Sequence, residues 1–303
     1  MPEKKLKDFM QCFAALEKIY DVVRIVDPVE KKVVYFNKEN AKNFLEEIPC
    51  FDFWENSKVC DNCISLRAFL QQDTFVKFEV ANNRIYMITA SPIGGKECSY
   101  VVEMLNDITD KSVLESVIGH TQENFSTVIL RINEAFVKDD LTTLFNRRFI
   151  NERLPVEIAT NTAAGITACL LMLDLDDFKL INDNDGHLAG DTVLKQFSEL
   201  LKKDIRGKKD WVARYGGDEF LIFLNDTSEE KAMKVTERIR KDVEKFEFKV
   251  KDKVFKVTCS IGVGCLKEDM DMEAWINAAD KNLYAVKALG GNNVLGGEKI
   301  HKQ

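Results

Sequence analysis

The sequence predicts a mixed α+β and α/β chain: an antiparallel-sheet domain, a helical coiled-coil linker and an alternating α/β domain. Three observations carry this. Residues 21–109 hold short strand-like runs around one polar, cysteine-bearing stretch. Residues 110–138 hold no proline and repeat apolar residues at spacings of four and three. From residue 139 on, apolar runs of strand length alternate with helix-period segments. A length of 303 residues also suits about two domains.

Residues 5–20 read as a helix, because Leu6, Phe9, Phe13, Leu16 and Tyr20 form one apolar stripe. Strands are expected at 21–27 and 32–37, then a cysteine-bearing stretch at 50–63, then strands at 74–80, 84–93 and 98–109. In the linker, Leu114, Ile118, Thr121, Phe125, Val128, Ile132 and Ala135 make a heptad seam with one polar member. Such a seam suits a helix packed on its own domain or a parallel two-stranded coiled coil. We read the coiled coil, and with it a homodimer through the 110–138 helix.

In the last domain, "GITACLLMLDL" (165–175) is an almost unbroken apolar run, the pattern of a strand buried on both faces. Helices are expected at 192–204, 231–246 and 272–291, the last ended by glycine. "WVARYGGDEFLIFL" reads as a hairpin turning on Gly216 and Gly217, and "FKVTCSIGVGC" (255–265) as a strand. The expected organisation is therefore a helix at 1–20, a domain at 21–109, a helical linker at 110–138 and a domain at 139–303.

Composition narrows the function. Hydrophobic residues at 45%, charged residues at 31%, and only 5 prolines and 15 glycines describe a soluble globular chain without long disordered spacers. A net charge of -7 disfavours a nucleic-acid polymer or an anionic membrane as partner, because phosphate surfaces demand basic ones. No run of 18 apolar residues occurs, so no transmembrane helix is expected. The 8 cysteines are unevenly spaced and no signal-peptide core precedes them, which points to the cytoplasm and mostly free thiols.

The chemistry concentrates in two places. Asp174 ends the buried strand, where α/β sheets place their ligands. Asp218 and Glu219 follow Gly216 and Gly217. If the hairpin lies beside the buried strand, three carboxylates converge. Hard divalent cations take oxygen ligands together with substrate phosphates, and two such ions can stabilise both oxygens of a phosphoryl displacement. Glycines without Cβ atoms let a triphosphate approach the backbone. Each residue also has a plain reading: Asp191 as a helix N-cap, Asn182 with Asp183 as turn residues, Asp174 as a cap.

Taken in order, "DDLTTLFNRR", "DLDDFKLIND…DGHLAGD", "RYGGDEF", "SIGVG" and "AADKNLYAVKALGGNN" span residues 139–294. As a set they resemble the GGDEF domain of diguanylate cyclases. The resemblance implies a palm-like βαββαβ fold and condensation of two GTP into cyclic di-GMP with release of two pyrophosphates. Each domain would supply half of the active site. It further implies Mg²⁺, two ions per site with Mn²⁺ able to stand in, held by Asp174, the Leu175 carbonyl, Asp218 and Glu219. Glu219 would sit at the second ion or act as base. Asn182 and Asp191 would read guanine, Phe178 would line the base pocket, and Lys179 and Lys287 would meet phosphates. Arg214 and Arg148 are expected as structural partners of acids.

Three departures stand out. Gly291 occupies the place of the family's usual arginine, which weakens one phosphate contact. The product-inhibition pattern Arg-x-x-Asp keeps Asp210 but has Gly207 at its arginine position, with Arg206 one residue off. Thr143 replaces the glycine of "LTGL". A GTP-binding module with weak or no turnover is the alternative reading.

The order of strands in 21–109, and "NDIT" (106–109) running into a heptad helix, resemble a PAS sensor domain of unknown ligand. Cys50, Cys60 and Cys63, spaced C-x9-C-x2-C, are candidate sensor thiols that could hold a metal, switch by redox or stay ordinary thiols. None of the three histidines (His120, His187, His301) lies in 21–109, so a histidine-ligated haem is not expected. Phe, Trp and Met around 51–54 and 76–87 read as core ahead of a cofactor pocket, although Phe51, Phe53 and Trp54 could line a small-ligand cavity.

Overall fold

The computed structural model describes residues 16–36, 48–54, 59–81, 84–93, 100–109, 125–206 and 209–297. The chain divides into two compact units, Met1–Val137 and Lys138–Gln303.

In the first unit, β1 (Val22–Asp27) and β2 (Lys32–Phe36) form an antiparallel pair. Helix α1 (Ile64–Gln71) follows, then β3 (Phe75–Ala81), β4 (Arg84–Pro92), β5 (Val101–Asp107) and helix α2 (Phe125–Val137). The sheet order is β2-β1-β5-β4-β3, all antiparallel, so the first strand pairs with the last. Period-2 alternation sorts β1 between two cores. Val22 and Val26 pack with Ile64 and Ala68 of α1, while Val23 and Ile25 pack with Leu16, Tyr20 and Met104.

Arg24 points into the same core as Val22 and is 1% exposed. It pairs with Glu103 and lies over the rings of Phe53 and Trp54 at 5.0 and 5.2 Å. A buried charge persists only when paired and hydrogen-bonded; the Cys50 carbonyl accepts from Nη1 and Ser65 donates to Glu103. Phe53 and Trp54, read from sequence as cavity lining, thus pack around a guanidinium.

Of the helix expected over 5–20, only 16–20 falls among the described residues. So does only 125–138 of the expected linker, which leaves Leu114, Ile118 and Thr121 outside them. Within α2, Ile129 is buried against Ile85 and Ile108, and Asn133 donates to the Phe78 carbonyl at 2.8 Å. The seam residues Ile132 and Ala135 are exposed. The helix therefore packs on its own sheet through a face other than the seam.

In the second unit, α3 (Arg147–Ala164) starts where the Asn146 side chain accepts from Phe149 N–H. Then come β6 (Cys169–Leu175), α4 (Phe178–Asp185), α5 (His187–Lys203), β7 (Trp211–Gly216), β8 (Glu219–Leu224) and α6 (Glu229–Lys245). A small hairpin, β9 (Phe248–Val250) and β10 (Lys253–Phe255), precedes β11 (Cys259–Cys265), α7 (Met272–Ala288) and β12 (Val294–Gly296). The sheet order is β12-β11-β6-β8-β7. With β11 and β8 on its flanks, β6 is central and all seven of its residues are buried, which is why it reads as a continuous apolar run.

Several expectations shift. The strand expected at 255–265 is two elements, β10 and β11. The helix expected at 192–204 begins at His187, so Asp191 lies inside α5 instead of capping it. Asn182 and Asp183 lie in α4 and not in a turn. The hairpin turns on Gly217 and Asp218, one residue later than expected, because the pairing slips between Arg214 and Gly216. Mostly free thiols were expected, and among the described cysteines Cys50, Cys60, Cys63 and Cys259 are free while Cys169 and Cys265 form a disulfide. They are direct partners in the β6–β11 register, although 96 residues separate them in sequence.

Thr143 gains a physical account. Its φ is +57°, a left-handed conformation that a β-branched residue adopts at a cost. Its hydroxyl accepts from Lys202 at 2.7 Å, an exposed contact of small worth. Thr143→Gly is expected to stabilise the domain by about 1 kcal/mol, roughly 2–4 °C in thermal unfolding. A lower melting temperature would show that the threonine's contacts outweigh its strain.

Candidate active site

Asp174 is the sixth of seven residues in β6 and is 6% exposed. Its register partner on β8 is Glu219, and on β11 it is Ser260. Asp218 is the second turn residue, immediately before Glu219. The slipped hairpin thus brings all three acids to one end of the central strand. Lys287, in the last turn of α7, reaches Asp174 at 2.5 Å.

Burial pushes the Asp174 carboxyl up to about 6; the charges of Asp218 and Glu219 push the same way, and Lys287 opposes them. Among the described residues no group of three or more His, Cys, Asp or Glu stands in ligating geometry. The donor set nevertheless fits a hard cation: carboxylate oxygens, the Leu175 carbonyl at a strand end, and a site already drawing one positive charge, the Lys287 ammonium, onto Asp174.

The pH consequence has a definite sign. An acid whose folded pKa is raised binds more protons folded than unfolded between its ordinary value and about 6. Metal-free protein should therefore gain stability as pH falls from 7.5 to 5, by about 1–2 kcal/mol after allowance for partial solvation. Asp174→Asn should flatten that window and raise stability at pH 7.5. Thermal unfolding in chelator across this range checks it; a wild-type curve that parallels the variant's would refute it.

Beside the acids lies a cleft of about 310 Å³. It gathers Phe178 and Lys179 at the start of α4, Asn182 one turn on, Asp191 of α5, and Gly217 with Asp218 of the turn. Asp174, Glu219, Gly216 and Lys287 lie outside its lining. His187, Leu194 and Arg214 also line it, and sequence reasoning had given none of them a ligand role. Close packing explains Gly190: a Cβ there would stand 2.0 Å from Asn182 Oδ1 and 3.0 Å from the Phe178 ring. Only glycine lets α5 approach α4 so nearly.

Arg214 holds the turn. Its Nε donates to the Gly217 carbonyl at 2.9 Å and its Nη1 to Asp139 at 3.1 Å. Burial alone would raise the Asp139 carboxyl, but Thr142 and Arg214 hold it below its ordinary value. Arg148 pairs with Glu152 on α3. Asp139 and Asp176 are the acids sequence reasoning passed over. Asp176 accepts from Thr258 (2.6 Å), Ser260 (2.5 Å) and the Asn292 amide (2.9 Å), tying the end of β6 to β11 and to the loop after α7. In that loop Gly291 has φ +76°, and a Cβ would meet Asp176 Oδ1 at 2.9 Å, so this backbone is shaped for glycine. Arg240 of α6 donates to Asn292 Oδ1 at 2.7 Å.

Asp210 is 6% exposed and both its oxygens are held by Arg206, at 2.8 and 2.9 Å. Arg206 also reaches the Asn225 carbonyl and Thr227. Gly207 lies outside the described residues.

A central buried strand with acids at its end, flanked by antiparallel partners and crossed by helices, is a palm-like α/β domain. Residues 136–293 match the family model of the diguanylate cyclase GGDEF domain, and the chain belongs to that family. It is 34% identical over 197 residues to diguanylate cyclase DosC of Escherichia coli, covering 62% of this chain and 43% of the relative. To the response regulator PleD of Caulobacter vibrioides it is 39% identical over 166 residues, covering 54% and 36%. It thus spans less than half the length of these curated relatives. The crystal structure of the coiled coil and GGDEF domain of DgcB from Caulobacter crescentus, in complex with c-di-GMP, superimposes with a TM-score of 0.54 at 28% identity, over 56% of this chain and 91% of that one.

Proposed function

We propose that this chain is a diguanylate cyclase that condenses two GTP into cyclic di-GMP and releases two pyrophosphates. The observation that carries it is the register of Asp174 with Glu219, with Asp218 at the turn, beside a cleft lined by Phe178, Asn182 and Asp191. Asn182 and Asp191 receive guanine's edge, since its N1 and N2 hydrogens form a donor pair that adenine lacks. Phe178 packs on the base. Lys179 and Lys287 meet the phosphates; for Lys287 this requires release of Asp174. Gly216 supports a ligand's close approach, because a Cβ there meets nothing within 4 Å and its φ is not positive, so packing alone does not call for glycine. Asp174, the Leu175 carbonyl, Asp218 and Glu219 would hold Mg²⁺ or Mn²⁺, which when bound neutralises phosphate charge and activates the attacking hydroxyl. Glu219 takes the proton of the 3′-hydroxyl or stands at the second ion.

Each domain holds one GTP, so synthesis requires a homodimer, and α2 supports one by exposing the seam residues Ile132 and Ala135. The strand order β2-β1-β5-β4-β3 supports a PAS-like sensor for the first unit. No described helix is long and apolar enough to cross a membrane; we assign the chain to the cytoplasm, where GTP is made and used.

Offered GTP and ATP together with Mg²⁺, the protein should yield only the guanine dinucleotide by mass. A mixed dinucleotide would overturn the guanine reading. GTP bound but unconverted would favour the receptor reading, which the Lys287–Asp174 ion pair and Gly291 support.

Asp139→Asn tests how the turn is held. It weakens the anchor of Arg214 without entering the cleft, so kcat should fall about 10–100-fold with KM for GTP little changed. A loss confined to KM would contradict that role.

A further inference from the structure

One loop of the first unit carries chemistry that cyclisation does not use. Cys60 and Cys63 bracket Asp61 and Asn62, and Cys63 is the N-cap of α1. The charge of Cys63 acts on both Cys50 and Cys60, and that of Cys60 acts on Cys50; none of the three is in a disulfide. Cys60 and Cys63 are partly exposed, whereas Asn62 between them is 7% exposed.

Asn62 is committed in two directions. Its carbonyl accepts from the buried Lys77 ammonium at 3.0 Å. Its Nδ2 donates to Asn133 Oδ1 of α2 at 3.3 Å. Because Asn133 Nδ2 donates to the Phe78 carbonyl, the orientation of both amides is settled. That leaves Asn62 Oδ1 buried with no hydrogen-bond partner. A buried acceptor with no protein partner is held by water or an ion, or marks stored strain or a redox or catalytic role. This one lies inside a C-x2-C loop, on a side chain whose Nδ2 bonds the helix whose last residue, Val137, ends the unit.

We infer that Cys60 and Cys63 form a reversible dithiol–disulfide site, and that α2 reads its state through the Asn62–Asn133 hydrogen bond. The co-reactant is a small-molecule disulfide. Cys63 attacks first, since a helix N-terminus favours the thiolate; one small thiolate leaves and a mixed disulfide remains. Cys60 then attacks the Cys63 sulfur, expels the second small thiolate and closes the ring. Two cysteine thiols are oxidised, one small disulfide is reduced to two thiols, and the cysteine protons pass to the leaving thiolates. Burial holds the Cys60 thiol up to about 12 against the pull of Lys77, so Cys60 is the slower nucleophile of the pair and does not attack first. Cys50 is pushed up by burial further still and stays a bystander.

Ring closure acts on Asn62 because only two residues separate the sulfurs' backbones. A disulfide fixes its Cα atoms at roughly 4.4–6.8 Å with a set dihedral between the sulfurs, so closure constrains the short segment that carries the amide. The 3.3 Å bond to Asn133 is the longer of the two bonds that link the loop and sheet to α2 through this residue pair, and it is the one lost.

The full-length chain, carrying Cys12→Ser, Cys98→Ser, Cys169→Ser and Cys265→Ser so that Cys50 and the buried Cys259 are the other thiols left beside the pair, is equilibrated in glutathione buffers from reduced to oxidised. Peptide mapping should find a Cys60–Cys63 bond in the oxidised arm, removed by dithiothreitol. Amide exchange across 125–137 should then rise roughly fivefold, the loss of one hydrogen bond. Cys60→Ser should abolish the rise. In Asn133→Ala the disulfide should form, yet exchange should be equally fast in both arms. These readouts do not involve GTP, so they stand or fall apart from the cyclase reading. The inference is overturned if the folded chain forms no Cys60–Cys63 bond at any poise. It is equally overturned if the bond forms with exchange of α2 unchanged, or if added Zn²⁺ binds stoichiometrically and shields all three thiols from alkylation.

Discussion

Glu219→Ala is expected to lower cyclic di-GMP formation by about 10²–10⁴-fold, the usual contribution of a positioned proton acceptor. The geometry explains why so small a change should cost so much. Glu219 pairs with Asp174 across two adjacent strands, so the two carboxylates share one end of the sheet. Glu219 is the first residue of β8, with Phe220 through Leu224 buried behind it, so the backbone at 219 is anchored whatever side chain it carries. The substitution should leave the fold and GTP binding in place, because the residues proposed to read the base, Asn182 and Asp191, sit on α4 and α5. Calorimetric binding of GTP alongside product assay separates the two effects. Loss of both together would mean that Glu219 holds the domain and not the chemistry.

The second large effect is expected at the dimer seam. Ile132→Asp with Ala135→Asp places carboxylates on a face of α2 that its own sheet does not cover. The first unit should therefore fold as before. In a dimer the same carboxylates would be buried in an apolar seam, at a cost of several kcal/mol, so dimer affinity should fall on the order of 10²-fold or more. Synthesis should fall with it, since one domain would hold only one of the two GTP molecules. Sedimentation of the variant beside its turnover checks both halves; a monomer that makes product at the wild-type rate would end the half-site account.

What the sequence disclosed and what it hid follow from physical range. The run at 169–175 was legible because a strand covered on both faces has no polar side to break it. Asp174, Asp218 and Glu219 were legible only as a set, through the ordered motifs of residues 139–294, because singly each reads equally well as a cap or turn acid. Helix α4 was not, because "FKLINDND" spends its polar side chains on the cleft and not on an amphipathic pattern. The same density of Asn, Asp and Gly hid the start of α5 and left Asp191 reading as a cap. The one-residue shift of the turn depends on how β7 slips against β8, a matter of pairing and not of composition. Cys169 and Cys265 meet only through strand register, across 96 residues, so no spacing pattern announces them. Asp139 lies 75 residues before Arg214, and the link between the domain's entry and the turn at Gly217 and Asp218 becomes visible only when β7 is placed.

The most direct test of the central claim is a ³¹P spectrum of GTP consumed by the purified chain with Mg²⁺. Attack by a 3′-hydroxyl on an α-phosphate predicts phosphodiester signal and one pyrophosphate for each GTP lost, both absent with Glu219→Ala. Release of inorganic phosphate with GDP would contradict it, because the acids after the glycine turn would then serve hydrolysis at the γ-phosphate and not nucleotidyl transfer.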